Sequence, residues 1–418
     1  MAFTALTLEI KVGAVPKRWN RTETWLTVIV IGIGAVVLAI GGLWVYVSAT
    51  ATPIHPDASS VRSTASASPD ARWADAIAKA RDAVRTAAST QNLPGVSVAV
   101  GIDGAFVWAE GFGWADIDQK RPVTPASRFR IGTASTVLTS VGAGLLIEQG
   151  RLRLDEDIRT HVPEFPQKPW PIQLQQVMGH LAGIASDGGD EGPLFGEHCD
   201  RPVDALKAFA DRDLRFEPGT QYRFSNYGWI LVSAAIESAS GDPFVIFMRK
   251  HVFEPLGMHD TVAESTMEAI PDAVTPYFPR FAADTRYGPD PMRELQLSCY
   301  AGAGSFVSTA SDLVRFGMAV EAGTLLQPTT LRQLRTSQRL PSGSETGYGL
   351  GWDVETVTIN GAPTRVVGHD GDLLGGQVAT FMTIPDTDLV IAVLANTSYA
   401  ETTAIATSIA NAFSPRRR

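Results

Sequence analysis

The chain has 418 residues, 44% hydrophobic and 19% charged, the proportions of a globular protein with ample core rather than a disordered one. A formal net charge of -9 with no basic stripe argues against nucleic acid as a partner. Two cysteines, Cys199 and Cys299, cannot by themselves build a zinc cluster, and no metal or other cofactor is expected.

The first element is not globular. Trp25 to Val47 carries no charge and is long enough to cross a bilayer as a helix. Trp25, Trp44 and Tyr46 sit near its ends, where amphipathic rings favour the interface. Lys11, Lys17, Arg18 and Arg21 precede it, and the next cations are Arg62 and Arg72. This asymmetry places residues 1–24 in the cytoplasm, 25–47 in the membrane and the remainder outside, in a periplasmic or other extracytoplasmic space. The competing reading is a cleaved signal peptide, since Ala49-Thr50-Ala51 resembles a cleavage site, but the apolar run exceeds the usual signal core of roughly 7–15 residues. Residues 48–72, rich in Ala, Ser, Thr and Pro, read as a flexible linker. A single domain over 73–413 and a basic tail, 414–418, follow.

Within 73–413, an amphipathic helix is expected over Trp73 to Ala88, with Ala76, Ile77, Ala80, Ala83 and Val84 inward. Two strands are expected near 93–101 and 105–113, joined by the tight-turn signal Asp103-Gly104. In Ser127 to Gly150, apolar residues recur at Val137, Leu138, Val141, Leu145 and Leu146, one buried face of a helix that starts after Gly132 and stops at Gly150. Such a helix turns its first unpaired amides toward Thr133, where developing negative charge would be stabilised. The middle is helical in pattern, for example Gly228 to Ser240 and Asp242 to Val252, and strand-like runs return over 348–396. Strands at both ends around a helical middle define an α+β class.

Phe129-Arg-Ile-Gly132-Thr133-Ala-Ser-Thr136 resembles the F-R-I-G-S-x-x-K helix of the serine β-lactamase and penicillin-binding-protein superfamily, in its class C, esterase and mitochondrial β-lactamase-like branch. Further matches follow in family order. They include Pro94-Gly95-Val96, Gly111-Phe-Gly, Leu152-Arg-Leu-Asp155, His180-Leu-Ala-Gly183, Pro218-Gly-Thr220, Glu254-Pro-Leu-Gly-Met258, Ser308-Thr-Ala-Ser-Asp312, Tyr348-Gly-Leu-Gly-Trp352 and Gly368-His-Asp-Gly371. The resemblance implies an antiparallel sheet flanked by helices, with an all-helical lobe inserted between its strands, and a cleft where three motifs meet.

Two of the three motifs have changed and the third survives. Thr133 stands for the nucleophilic Ser, and its β-methyl restricts the hydroxyl. Thr136 stands for the Lys base; an alcohol is no base at neutral pH, whereas an amine of lowered pKa is. In the Tyr-x-Asn motif Phe224 replaces Tyr ahead of Ser225 and Asn226, and nearby Tyr222 reads as a structural residue at the binding site or as a substitute for the missing phenol. The third motif, Lys-Thr-Gly or, in the esterase-like branch, often His-x-Gly, survives as His369-Asp370-Gly371; the histidine could donate to a carboxylate or carbonyl or act as a base near neutral pH, and Gly371, with Gly376 beyond it, would let a ligand approach the strand. His180 reads as a brace of the cleft wall, Asp155, Asp157 and Asp312 as caps and solvated charges, and Trp170, Trp229 and Trp352 as core. In an oxidising compartment the cysteines either form a disulfide closing a loop of about a hundred residues or remain two buried thiols. Three functional readings result: a pseudoenzyme that binds a ligand or protein, a hydrolase of amides, esters, peptidoglycan peptides or β-lactams working through Thr133 and His369, or a membrane scaffold.

Overall fold

The structure is a computed structural model that describes residues 21–66, 71–185, 194, 196–264, 270–292, 296–373 and 375–414. It divides into two units, the first ending at Ala51 and the second beginning at Thr52. The first contains α1 (Arg21–Thr50), whose 23 residues from Val28 to Thr50 are apolar and long enough to cross a membrane.

The second unit opens with a strap that departs from expectation. The stretch 48–72 was expected to be a flexible linker, but much of it is fixed to the domain. The amide of Ile54 donates to Asn92 Oδ1 at 2.7 Å, His55 and Val61 are buried, and Arg62 lies over the Trp114 ring at 5.0 Å. β1 (Ser63–Ala65) then pairs antiparallel with the edge of the main sheet. The composition is polar, yet two well-placed apolar contacts and an unpaired strand edge suffice to hold it.

α2 (Ala74–Thr90) buries Ile77, Ala80 and Val84 of the expected stripe, together with Ala88, while Ala76 and Ala83 are half-buried. β2 (Gly95–Ile102) and β3 (Ala105–Asp116) form a hairpin turning at Asp103, whose φ is +51°, and Gly104. α3 (Ser135–Glu148), α4 (Asn226–Ser240) and α5 (Ala310–Glu321) belong to the middle of the chain. β4 (Asp353–Ile359), β5 (Ala362–Leu373), β6 (Gln377–Ile384) and β7 (Leu389–Ala395) form an antiparallel meander, and α6 (Thr402–Phe413) closes the chain. The sheet order is β1-β3-β2-β7-β6-β5-β4, so the first hairpin and the last meander are joined by β2 and β7. One apolar cluster joins α2 and α6 to one face of the sheet; the other packs α3, α4 and α5 on the opposite face.

A carboxylate is locked into the first layer. Glu110, 2% exposed, receives Arg81 Nε at 2.9 Å, Arg81 Nη2 at 2.8 Å and Trp108 Nε1 at 2.9 Å. Burial pushes its pKa up, but Arg81, Ser63 and Trp108 outweigh burial and hold it below the usual range. Arg81→Met is expected to cost about 2–3 kcal/mol in chemical denaturation, less than for a fully buried pair because Arg81 is 28% exposed. A change below about 0.5 kcal/mol would mean that Trp108 and Ser63 alone suffice.

Two further side chains depart from the sequence reading. Asp312, expected at a helix start as a cap or solvated charge, does lie in the first turn of α5 but is fully buried; its Oδ2 accepts from the Asp260 amide and Thr261 Oγ1, and Oδ1 accepts from Arg315. It ties the start of α5 to the 260 loop, a partner too distant in sequence to be foreseen. Trp229 and Trp352 are core, but Trp170 is 40% exposed, on a loop between Pro169 and Pro171. Cys199 and Cys299 are bridged, with Cα atoms 4.8 Å apart.

Candidate active site

α3 was expected to bury one face and buries nearly all of its surface. It runs through the middle of its layer, so its hydroxyls satisfy themselves on main-chain carbonyls. Thr139 Oγ1 donates to Gly302 O at 2.9 Å, and Ser140 Oγ to Leu350 O at 2.6 Å. A single 3-10 turn, Gly132–Ala134, leads into it, with Gly132 at a φ of +52° that favours glycine. Thr133 therefore stands at the helix entrance, 6% exposed.

β5 lies directly on this turn. A Cβ at Gly371 would fall 1.9 Å from Ile131 O. The close approach that the glycine permits is thus made by the nucleophile turn itself, rather than left open for a ligand. Thr133 Oγ1 donates to Asp370 O at 2.9 Å. Thr136, fully buried, donates to Thr133 O at 2.9 Å and lies 3.4 Å from Gly351 O.

His369, 5% exposed, has Nδ1 2.5 Å from Asp370 O and 3.8 Å from Asp353 Oδ2, while Nε2 is 3.0 Å from the Tyr348 hydroxyl. Burial pushes the Tyr348 phenol well above its ordinary pKa, with Asp353 and Tyr222 adding to the shift. Burial also raises Asp353, against the pull of His369. Phe224 packs on His180 at 4.3 Å between ring centroids and lies 6.3 Å from His369; Tyr348 lies 4.6 Å from His180. Tyr222, 36% exposed, stands at the edge of this aromatic wall, 6.0 Å from both His180 and Tyr348, and burial together with Asp353 raises its phenol too.

Thr133, Thr136, Phe224, His369, Gly371 and Tyr222 thus converge. Asn226 opens α4 behind Ser225, whose hydroxyl caps the Gly228 amide. Gly376 belongs elsewhere: its amide donates to Ser398 Oγ, and its carbonyl accepts from Tyr277. Tyr348 and Asp353 were given no role from sequence. Tyr348 opens the run Tyr348-Gly-Leu-Gly-Trp352, which carries the resemblance but says nothing about where the phenol points, and Asp353 only follows that run.

Among the described residues no lysine is placed at the cleft. Five follow the apolar segment: Lys79, Lys120, Lys168, Lys207 and Lys250. Lys168 bonds the carbonyls of Ala210 and Arg212, Lys207 pairs with Glu197 and Lys250 with Asp242. Lys79 lies on α2, in the other layer, and Lys120 in the turn after β3.

His180 braces the wall. Its φ is +58°, and Nδ1 accepts the Ser225 amide at 3.1 Å. Burial pushes its pKa well below the ordinary value, with His369 adding to the effect. The unfolded chain therefore binds a proton near pH 6.5 that the native state refuses. The native state gains nothing from this above that pH and loses stability as pH falls below it, by up to about 1.4 kcal/mol per pH unit. A His180→Asn variant, which keeps an acceptor for Ser225, is expected to show a shallower loss between pH 7.5 and 5.5 in urea unfolding. Equal slopes would contradict a buried neutral imidazole.

A helix entrance, a facing strand and an aromatic wall at these positions define the class of the serine hydrolases built on the β-lactamase/transpeptidase fold. The Beta-lactamase family model matches residues 75–413, and the chain belongs to this family. It is 26% identical over 322 residues to the human "Serine beta-lactamase-like protein LACTB, mitochondrial", covering 60% of this chain and 57% of that one. It is also 26% identical over 281 residues to "Penicillin-binding protein 4*" of Bacillus subtilis (strain 168), covering 64% of this chain and 60% of the relative. The chain thus spans about three fifths of the length of each. Among solved structures, an octameric penicillin-binding protein homologue from Pyrococcus abyssi has the same fold, with a TM-score of 0.66 and 23% identity over 79% of this chain and 76% of that one.

Proposed function

We propose that this chain is a membrane-anchored member of the β-lactamase family that binds a ligand or a protein through its cleft and does not turn a substrate over by acyl transfer. One observation carries the reading: the hydroxyl at the nucleophile position donates its hydrogen bond to a main-chain carbonyl, Thr133 Oγ1 to Asp370 O at 2.9 Å, with only the Thr136 hydroxyl where an amine base would stand. A carbonyl oxygen is too weak a base to activate an alcohol. The anchor reading rests on the apolar helix and the cations ahead of it. The Cys199–Cys299 bridge favours an extracytoplasmic, oxidising location for the domain.

The test is covalent labelling of the full chain in detergent with a fluorescent penicillin and a fluorophosphonate. No labelling is expected. Stoichiometric labelling that disappears in Thr133→Ala would overturn the proposal and establish the hydrolase reading.

A further inference from the structure

We infer that Tyr348 is the positioning residue of this cleft: its buried phenol donates to His369 Nε2, fixes the imidazole with its proton on Nδ1, and so withholds the histidine from acting as a base. The inference deepens the reading of a silent cleft and can fail independently of it.

The proton positions follow from what each partner can do. A carbonyl oxygen only accepts, so the 2.5 Å contact between His369 Nδ1 and Asp370 O requires a proton on Nδ1. In the neutral ring Nε2 then bears the lone pair, and the hydroxyl 3.0 Å away must donate to it. Asp353 Oδ2, 3.8 Å from Nδ1, favours the proton on that side. Burial keeps the phenol protonated, so it remains a donor at any physiological pH.

None of the other rings in this wall takes this role. Phe224 has no hydroxyl, and the Tyr222 ring is 6.0 Å from Tyr348 at the outer edge of the wall. His180 accepts the Ser225 amide on Nδ1, so its own Nε2 carries a proton and is a donor. Tyr348 is therefore what distinguishes a sequestered imidazole from one whose lone pair faces the cleft.

The test is nitrogen NMR of the full chain in detergent at pH 8 with labelled histidine, His369 being assigned by its loss in His369→Gln. The wild type is expected to show a protonated Nδ1 and an unprotonated Nε2. Tyr348→Phe is expected to weaken that tautomer preference by about 3–10-fold, the worth of one neutral hydrogen bond. A protonated Nε2 in the wild type, or an unchanged preference in Tyr348→Phe, overturns the inference. Should Tyr348→Phe not fold, a protonated Nε2 in the wild type would still overturn the inference. A purely packing role for Tyr348 would leave the proton position unmoved, and the penicillin labelling reports on Thr133 instead.

Discussion

Thr133→Ser, Thr136→Lys and Phe224→Tyr introduced together are expected to raise p-nitrophenyl ester hydrolysis by about 10²–10⁴-fold over the wild-type chain, the usual scale of a positioned acid–base group. The scaffold such groups need is present: the glycine-started turn, the helix behind it and β5 laid across it. A serine lacks the methyl that fixes the Thr133 hydroxyl on Asp370 O. An amine at position 136 would have Gly351 O and the Tyr348 hydroxyl as neighbours, since Thr136 already lies near both. The three groups work as a unit, so each single replacement is expected to gain little. Steady-state assays of the three singles and the triple settle the matter. A triple variant at wild-type level would place the defect in the packing of β5 and Tyr348 against the turn, not in the missing groups.

The second large effect concerns the disulfide. Cys199→Ser with Cys299→Ser is expected to lower unfolding free energy by about 4–5 kcal/mol, the loop-closure entropy of a bridge between residues 100 apart. The consequence reaches the cleft, because Cys299 belongs to the turn Ser298–Ala303 that backs α3 and α4. Thr139 of α3 bonds Gly302 O, and the Gly302 amide bonds Ser233 of α4. Urea unfolding with and without reductant measures the difference. A loss under about 1 kcal/mol would show that Cys199 N to Ser298 Oγ and the surrounding packing already hold the loop.

Local rules carried the sequence reading far where elements are local. The stripe of α2, the Asp103-Gly104 hairpin and strands at both ends were all legible, because period and turn chemistry are written within a few residues of each other. The family motifs made the cleft legible too: Thr133, Phe224 and His369 are brought together from segments more than 80 residues apart. What stayed hidden depends on distant partners. Nothing local says that Tyr348 points at His369, that Asp312 is buried under the 260 loop, or that a polar strap completes the edge of β3. The glycine of the third motif shows the same limit. Its presence foretold a close approach, but whether ligand or backbone makes it is a matter of tertiary packing.

The pairing of β2 with β7, Leu389 opposite Ile102 through Ala395 opposite Val96, sets the order in which the domain can mature. A nascent chain carries its first hairpin for nearly three hundred residues before the strand that completes the sheet has been synthesised. Contacts of such sequence separation form slowly, and until then the apolar faces of the hairpin stay uncovered. A chaperone that guards the hairpin until that strand has been made would favour productive folding. Premature termination before residue 389 would release a species destined for proteolysis rather than a smaller folded protein.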